Sequence, residues 1–227
     1  MKDFQENIVP ASGQNAENVF LFPREHSKLR ILFVGNSIAK HAPKPSIGWD
    51  RDCGMAASSV DRDFVHLILR RIREKYDENV SYAIAQVADY ERGFFECTPA
   101  DQYHSAKQFD ADVILMFFGA NVPKSYDTME NPPKTFAFAY EDMRNYLASA
   151  RSTVFHSMGF YIRPVLDDEK RSIAKKYGET FIDITDIRSL PETHGMHNHP
   201  NDLGMQMLAD RFWNAIENDV KRICESR

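Results

Sequence analysis

Three polar residues, far apart in the chain, carry the side chains that acyl transfer requires. Ser37 ends the run Leu-Arg-Ile-Leu-Phe-Val-Gly-Asn-Ser that begins at Leu29. Asn121 follows the apolar run from Asp112 to Phe118 and the turn residues Gly119 and Ala120. His199 stands in a polar segment ahead of the last amphipathic stretch. A serine hydroxyl becomes a nucleophile when a base takes its proton, and histidine is the usual base. The tetrahedral intermediate that follows needs N–H donors aimed at its oxyanion. The Asn121 amide and the backbone N–H groups of Ser37 and Gly54 are candidate donors. Gly54 suits the task because no Cβ shields its N–H.

The elements that would bring these residues together are legible as apolar runs. Leu29 to Gly35 reads as a buried parallel strand that stops at a tight turn. Further strands are expected at Val80–Val87, Asp112–Phe118, Ser152–Met158 and Thr180–Ile184. Between them, Val60, Phe64, Leu67, Ile68 and Ile72 recur at helical spacing, with Ser58 or Ser59 as the cap and Asn79 as the close. Tyr140, Met143, Leu147 and Ala150 give a second helix face, and Asp167–Tyr177 a third helix, stopped by Gly178. The segment around Ala100–Gln108 reads as partly helical. The last helix is capped by Asn201 or Asp202 and lined by Leu208, Phe212, Ile216, Val220 and Ile223. Strands alternating with helices argue for a parallel sheet covered on both faces. In such a sheet the carboxyl ends of the strands lie on one rim, where ligands bind. We expect one domain over 29–227 and an N-terminal extension over 1–28, in which Val19-Phe20-Leu21-Phe22 could form a short edge strand.

Four short blocks in order carry a family resemblance. Gly35-Asn36-Ser37-Ile38 resembles the first block of the SGNH (GDSL-type) hydrolases. Gly54, in Cys-Gly-Met-Ala-Ala-Ser, resembles the glycine of the second block. Gly119-Ala120-Asn121 resembles the Gly-x-Asn of the third, and His199-Pro200-Asn201-Asp202 the His-Pro-Asn that opens the last helix. The resemblance implies a three-layer α/β/α sandwich, flavodoxin-like, with a five-stranded parallel sheet of order 2-1-3-4-5. It implies ester hydrolysis through an acyl-enzyme, with Ser37 as nucleophile and His199 as base. Ser37, Gly54 and Asn121 would form the oxyanion hole. The family usually has an acid three residues before the histidine, and here that position is Met196. An orienting aspartate is worth roughly ten-thousand-fold in a serine protease. Glu192, Asp186 or a backbone carbonyl could hold the imidazole instead.

Several other functions fit less well. The formal net charge of −5 argues against a nucleic-acid surface. Cys53, Cys97 and Cys224 make no C-x-x-C pair and no disulfide framework. His194, His197 and His199 lack the spacing of a helical metal motif, so no metal or other cofactor is expected. Cys53 reads as a packed loop thiol. The near match of Gly35–Ala39 to a Gly-x-Ser-x-Gly elbow is set aside, because that elbow follows several strands. No apolar run approaches the roughly 20 residues that span a bilayer, and no signal peptide is apparent, so the chain reads as cytoplasmic without membrane contact. The expected substrate is an O-acyl, above all an O-acetyl, ester of a small molecule or carbohydrate. Trp49, Tyr126 and Phe136 are candidates for stacking on a sugar ring. An acyltransferase and a catalytically weakened binding module are the alternatives, and the sequence leaves the oligomeric state open.

Overall fold

Alternation within one central strand determines the layering. The computed structural model describes residues 18–227; positions 1–17 of the expected extension lie outside the described residues. In β2 (Arg30–Gly35), Ile31 and Phe33 belong to one core and Leu32 and Val34 to the other, and all four are buried. A strand apolar on both faces has to be covered twice. α1 (Phe64–Lys75) and α7 (Asp202–Glu225) cover the first face; α3 (His104–Phe109), α4 (Phe136–Leu147) and α5 (Pro164–Tyr177) cover the second. The result is an α/β/α sandwich.

The remaining strands are β1 (Val19–Phe22), β3 (Ser81–Gln86), β4 (Val113–Phe117), β5 (Thr153–Ser157) and β6 (Thr180–Ile182). The sheet runs β1-β3-β2-β4-β5-β6. From β2 to β6 every pairing is parallel, and those strands counted alone stand in the order 2-1-3-4-5. The expectation of a five-stranded, wholly parallel sheet is corrected by β1. It runs antiparallel to β3, from Val19 opposite Ala85 to Phe22 opposite Tyr82. An uncovered β3 edge would present a row of unpaired backbone groups, and β1 satisfies them. The sheet therefore takes in residues before position 29.

Helix ends follow local chemistry, with one correction. Neither Ser58 nor Ser59 caps α1. Asp63 does, its Oδ1 accepting the His66 N–H at 2.8 Å, and the helix ends at Lys75, short of Asn79. Ser58 instead ties its loop to the start of α7, its N–H and hydroxyl both donating to Asp202. Pro164 opens α5, where its missing N–H costs nothing. Gly178 closes that helix with φ of 66°. Asn201 caps α7 by accepting the Gly204 N–H at 3.1 Å. No helix among the described residues is long and apolar enough to cross a membrane.

Candidate active site

Strand register places Ser37. Gly35 pairs with Gln86 on one side and Phe117 on the other. The residues just past those strand ends therefore share one rim, with the Ser37 turn between the segment after β3 and the segment after β4. That turn is fixed by Asn36, whose carbonyl accepts the Ala39 and Lys40 N–H groups and whose Oδ1 accepts that of Ile38. Ser37 then opens onto a cleft of about 420 Å³, lined among others by Met55, Gln86, Ala88, Arg92, Asn121 and His199. Its Oγ lies 2.8 Å from His199 Nε2.

The other imidazole nitrogen is held without a carboxylate. His199 Nδ1 is 3.0 Å from the His197 carbonyl, which can only accept, so Nδ1 carries the proton and Nε2 presents its lone pair to Ser37. The Tyr161 hydroxyl lies 3.0 Å from the same Nδ1 and 3.5 Å from the His197 carbonyl. Two consecutive left-handed residues, His197 (φ 50°) and Asn198 (φ 61°), make the turn that aims this carbonyl. For residues other than glycine that conformation is uncommon and strained, and strain of this kind collects at functional sites. Burial holds the His199 pKa below the usual histidine range, although the His197 carbonyl opposes the shift. Burial also pushes the Tyr161 hydroxyl up to about 12, so it stays neutral.

Beneath the rim lies a carboxylate that sequence reading missed. Glu91, in the short helix α2 (Ala88–Gly93), is fully buried. Its Oε1 accepts Asn36 Nδ2 at 3.0 Å and the Gly119 N–H; its Oε2 accepts the Asn121 N–H at 3.2 Å and Asn121 Nδ2. One side chain thus fixes the Ser37 turn, the Gly119 turn and the Asn121 amide. Gly119 has φ of 127°, which a side chain rarely adopts, so the turn that delivers Asn121 needs glycine. Asn121 lines the cleft and its Oδ1 also accepts from Arg92 at 3.2 Å.

Several predicted site residues sit elsewhere. Gly54 does not reach the cleft. Its N–H donates to Asp63 at 3.1 Å, and a Cβ there would lie 2.4 Å from the Ile38 carbonyl oxygen. It is glycine because backbone crosses it closely. The loop that carries it does pass the serine, the Met55 N–H donating to the Ser37 carbonyl at 2.8 Å; past the end of β3, Ala88, the first residue of α2, donates its N–H to Gln86 Oε1 at 3.0 Å. Asp186 pairs with Arg211 at 2.7 Å, and Glu192 is exposed with only its backbone carbonyl engaged, by Asn201; neither orients His199. Trp49 and Phe136 are almost wholly buried, and Tyr126 is held by Glu169 and the Phe136 N–H. Large aromatic surface gains more from burial than from lining a wet cleft. His194 is engaged by Asn198 and the Arg188 carbonyl, and His197 Nε2 by the Ile47 carbonyl. Burial first, then the Asp63 carboxylate, push the Cys53 thiol up to about 11, which keeps it unreactive.

No protein-family model matches the sequence, and no curated protein matches it. Solved structures do match. A catalytic mutant of an acetylxylan esterase from Geobacillus stearothermophilus aligns over 84% of this chain and 94% of its own, with TM-score 0.54 and 16% identity. A family two carbohydrate esterase from Clostridium thermocellum, in complex with cellohexaose, aligns over 87% of this chain and 65% of its own, with TM-score 0.57 and 14% identity. A chain from Bacteroides ovatus described as a GDSL-like lipase aligns over 84% and 98%, with TM-score 0.52 and 11% identity. This chain has the SGNH/GDSL hydrolase fold. On the SGNH/GDSL fold the first and last sequence blocks, around Ser37 and His199, meet at the rim, and the block around Asn121 stands beside them.

Proposed function

We propose that this protein is a serine esterase that hydrolyses O-acyl esters of saccharides or related small molecules through an acyl-enzyme on Ser37. The observation that carries the proposal is the 2.8 Å contact from Ser37 Oγ to the lone pair of His199 Nε2 at the open end of the sheet. In the reaction, Ser37 Oγ bonds to the ester carbonyl carbon while its proton passes to Nε2. The oxyanion is met by the Ser37 N–H, which makes no hydrogen bond among the described residues, and by the second Nδ2 proton of Asn121. Ala88 N–H becomes a third donor if the Gln86 side chain, itself a cleft residue, turns away. Collapse of the intermediate breaks the ester C–O bond, and Nε2 returns its proton to the leaving alcohol. Water then attacks the acyl-serine by the same route in reverse. The structural neighbours named as carbohydrate esterases support a saccharide leaving group.

The imidazolium formed on the way is held by a carbonyl and a neutral hydroxyl, not by a carboxylate. Turnover slower than that of a full triad follows. The same observation favours a second reading, a ligand-binding module that has lost turnover. The test is p-nitrophenyl acetate hydrolysis by the parent and by Ser37→Ala, with intact-mass detection of an acetylated intermediate. Loss of at least a hundredfold in the variant, with one acetyl on the parent, supports the esterase. Equal rates and no adduct overturn it.

A further inference from the structure

The walls of the cleft are charged in a sense opposite to the rest of the molecule. The chain has 33 acidic residues against 28 lysines and arginines. Yet the residues lining the cleft around Ser37 include Lys44, Arg92, His41 and His197, and no aspartate or glutamate. The two cations come from different segments. Lys44 stands on the long loop after β2 and Arg92 at the end of α2. The backbone of Lys44 is fixed, because its N–H donates to the Trp49 carbonyl at 2.7 Å and its carbonyl accepts from Ile47 and Trp49. Trp49 is anchored in the core. The Lys44 ammonium, in contrast, has no hydrogen bond or ion pair among the described residues. Arg92 lines the cleft while Nη1 makes an ion pair with Asp89 at 2.7 Å and Nη2 donates to Asn121 Oδ1, and its remaining N–H groups have no partner among the described residues. The nearest buried acid, Glu91, forms no ion pair with either cation, both of its oxygens being taken by the Asn36, Gly119 and Asn121 N–H donors.

We infer that the ester taken by this cleft carries an anionic group on its alcohol portion: an acylated acidic saccharide whose carboxylate or phosphate is met by Lys44 and Arg92. This rests on the esterase reading of Ser37. Arg92 offers a planar fork suited to either oxyanion, and Lys44 a mobile point charge. A cleft lined by one sign of charge also concentrates ligands of the other sign, in a salt-dependent way.

The experiment compares acetate release from an acetylated oligogalacturonide with release from the same oligosaccharide methyl-esterified, which differ in charge. An acetylated sugar phosphate forms a third arm and distinguishes phosphate from carboxylate. The expected preference for the charged form in kcat/KM is about tenfold at low salt, shrinking in high salt and in Lys44→Gln. Equal rates on charged and neutral esters, or a preference that neither salt nor Lys44→Gln moves, overturn the inference while leaving the esterase intact. If neither ester turns over, calorimetric binding of unacetylated oligogalacturonide and of its methyl ester to the parent protein decides. Tighter binding of the charged form, weakened by Lys44→Gln, supports the anionic site, and p-nitrophenyl acetate decides the esterase reading separately. No difference overturns the inference.

Discussion

Glu91→Gln is the most informative single change. The carboxylate accepts four hydrogen bonds, two on each oxygen, with no solvent access. A glutamine of the same shape keeps one acceptor oxygen and turns the other position into a donor. Whichever way the amide sits, two N–H groups then face an N–H. Buried hydrogen bonds to a charged group contribute roughly 1.5–3 kcal/mol each, so the loss is about 3–6 kcal/mol, a large share of a typical domain's stability. If the donors left unpaired are those of Asn121, its amide is no longer held toward the cleft, and an oxyanion donor is worth about 100- to 1,000-fold in turnover. The assay pairs urea unfolding with p-nitrophenyl acetate kinetics below the unfolding transition. A variant within about 1 kcal/mol of the parent, and within threefold in kcat/KM, would refute the role assigned to Glu91.

Two further outcomes are expected. Because burial lowers the His199 pKa, kcat/KM rises with pH through a limb that lies below the ordinary histidine range and is level above it; a midpoint at or above 6.5 in a pH–rate profile contradicts the assignment. Asp112 is almost fully buried, and although burial alone would raise its pKa, the Arg227 and Arg151 guanidiniums and the Arg30 N–H hold it below the usual carboxylate range. Its stabilisation is therefore present above the unfolded-state pKa and disappears as pH falls through the lower folded value. Asp112→Asn should cost about 2–3 kcal/mol at pH 7, its partners being partly exposed, and progressively less in acid; a cost that does not change with pH would show that the ion pairs contribute nothing.

The parallel core was legible because β2 and β4 are continuous apolar runs, and the last helix because its apolar residues recur at helical spacing behind an Asn cap. What escaped reading depends on register or on backbone. Gly54 resembles an oxyanion glycine in its local sequence, and the next residue, Met55, does bond the Ser37 carbonyl, but the Gly54 N–H itself is taken by Asp63. Glu91 sits in a segment without periodicity, and its partners come from the turns after two different strands. The group that orients His199 is a main-chain carbonyl, which residue types do not encode. Trp49, Tyr126 and Phe136 show that aromatic identity alone does not say which side of a cleft wall a ring occupies.

The antiparallel edge strand has a practical consequence for anyone handling the protein. Since β1 runs against β3, Val19 lies beside Ala85, and the Asn18 carbonyl accepts the Gln86 N–H, at the same rim as Ser37. Arg227 is held at the opposite rim, by Asp112 and the Lys28 carbonyl. A bead, chip or fluorophore coupled at Arg227 leaves the Ser37 cleft facing solution, whereas one coupled at Asn18 sits at the rim onto which that cleft opens.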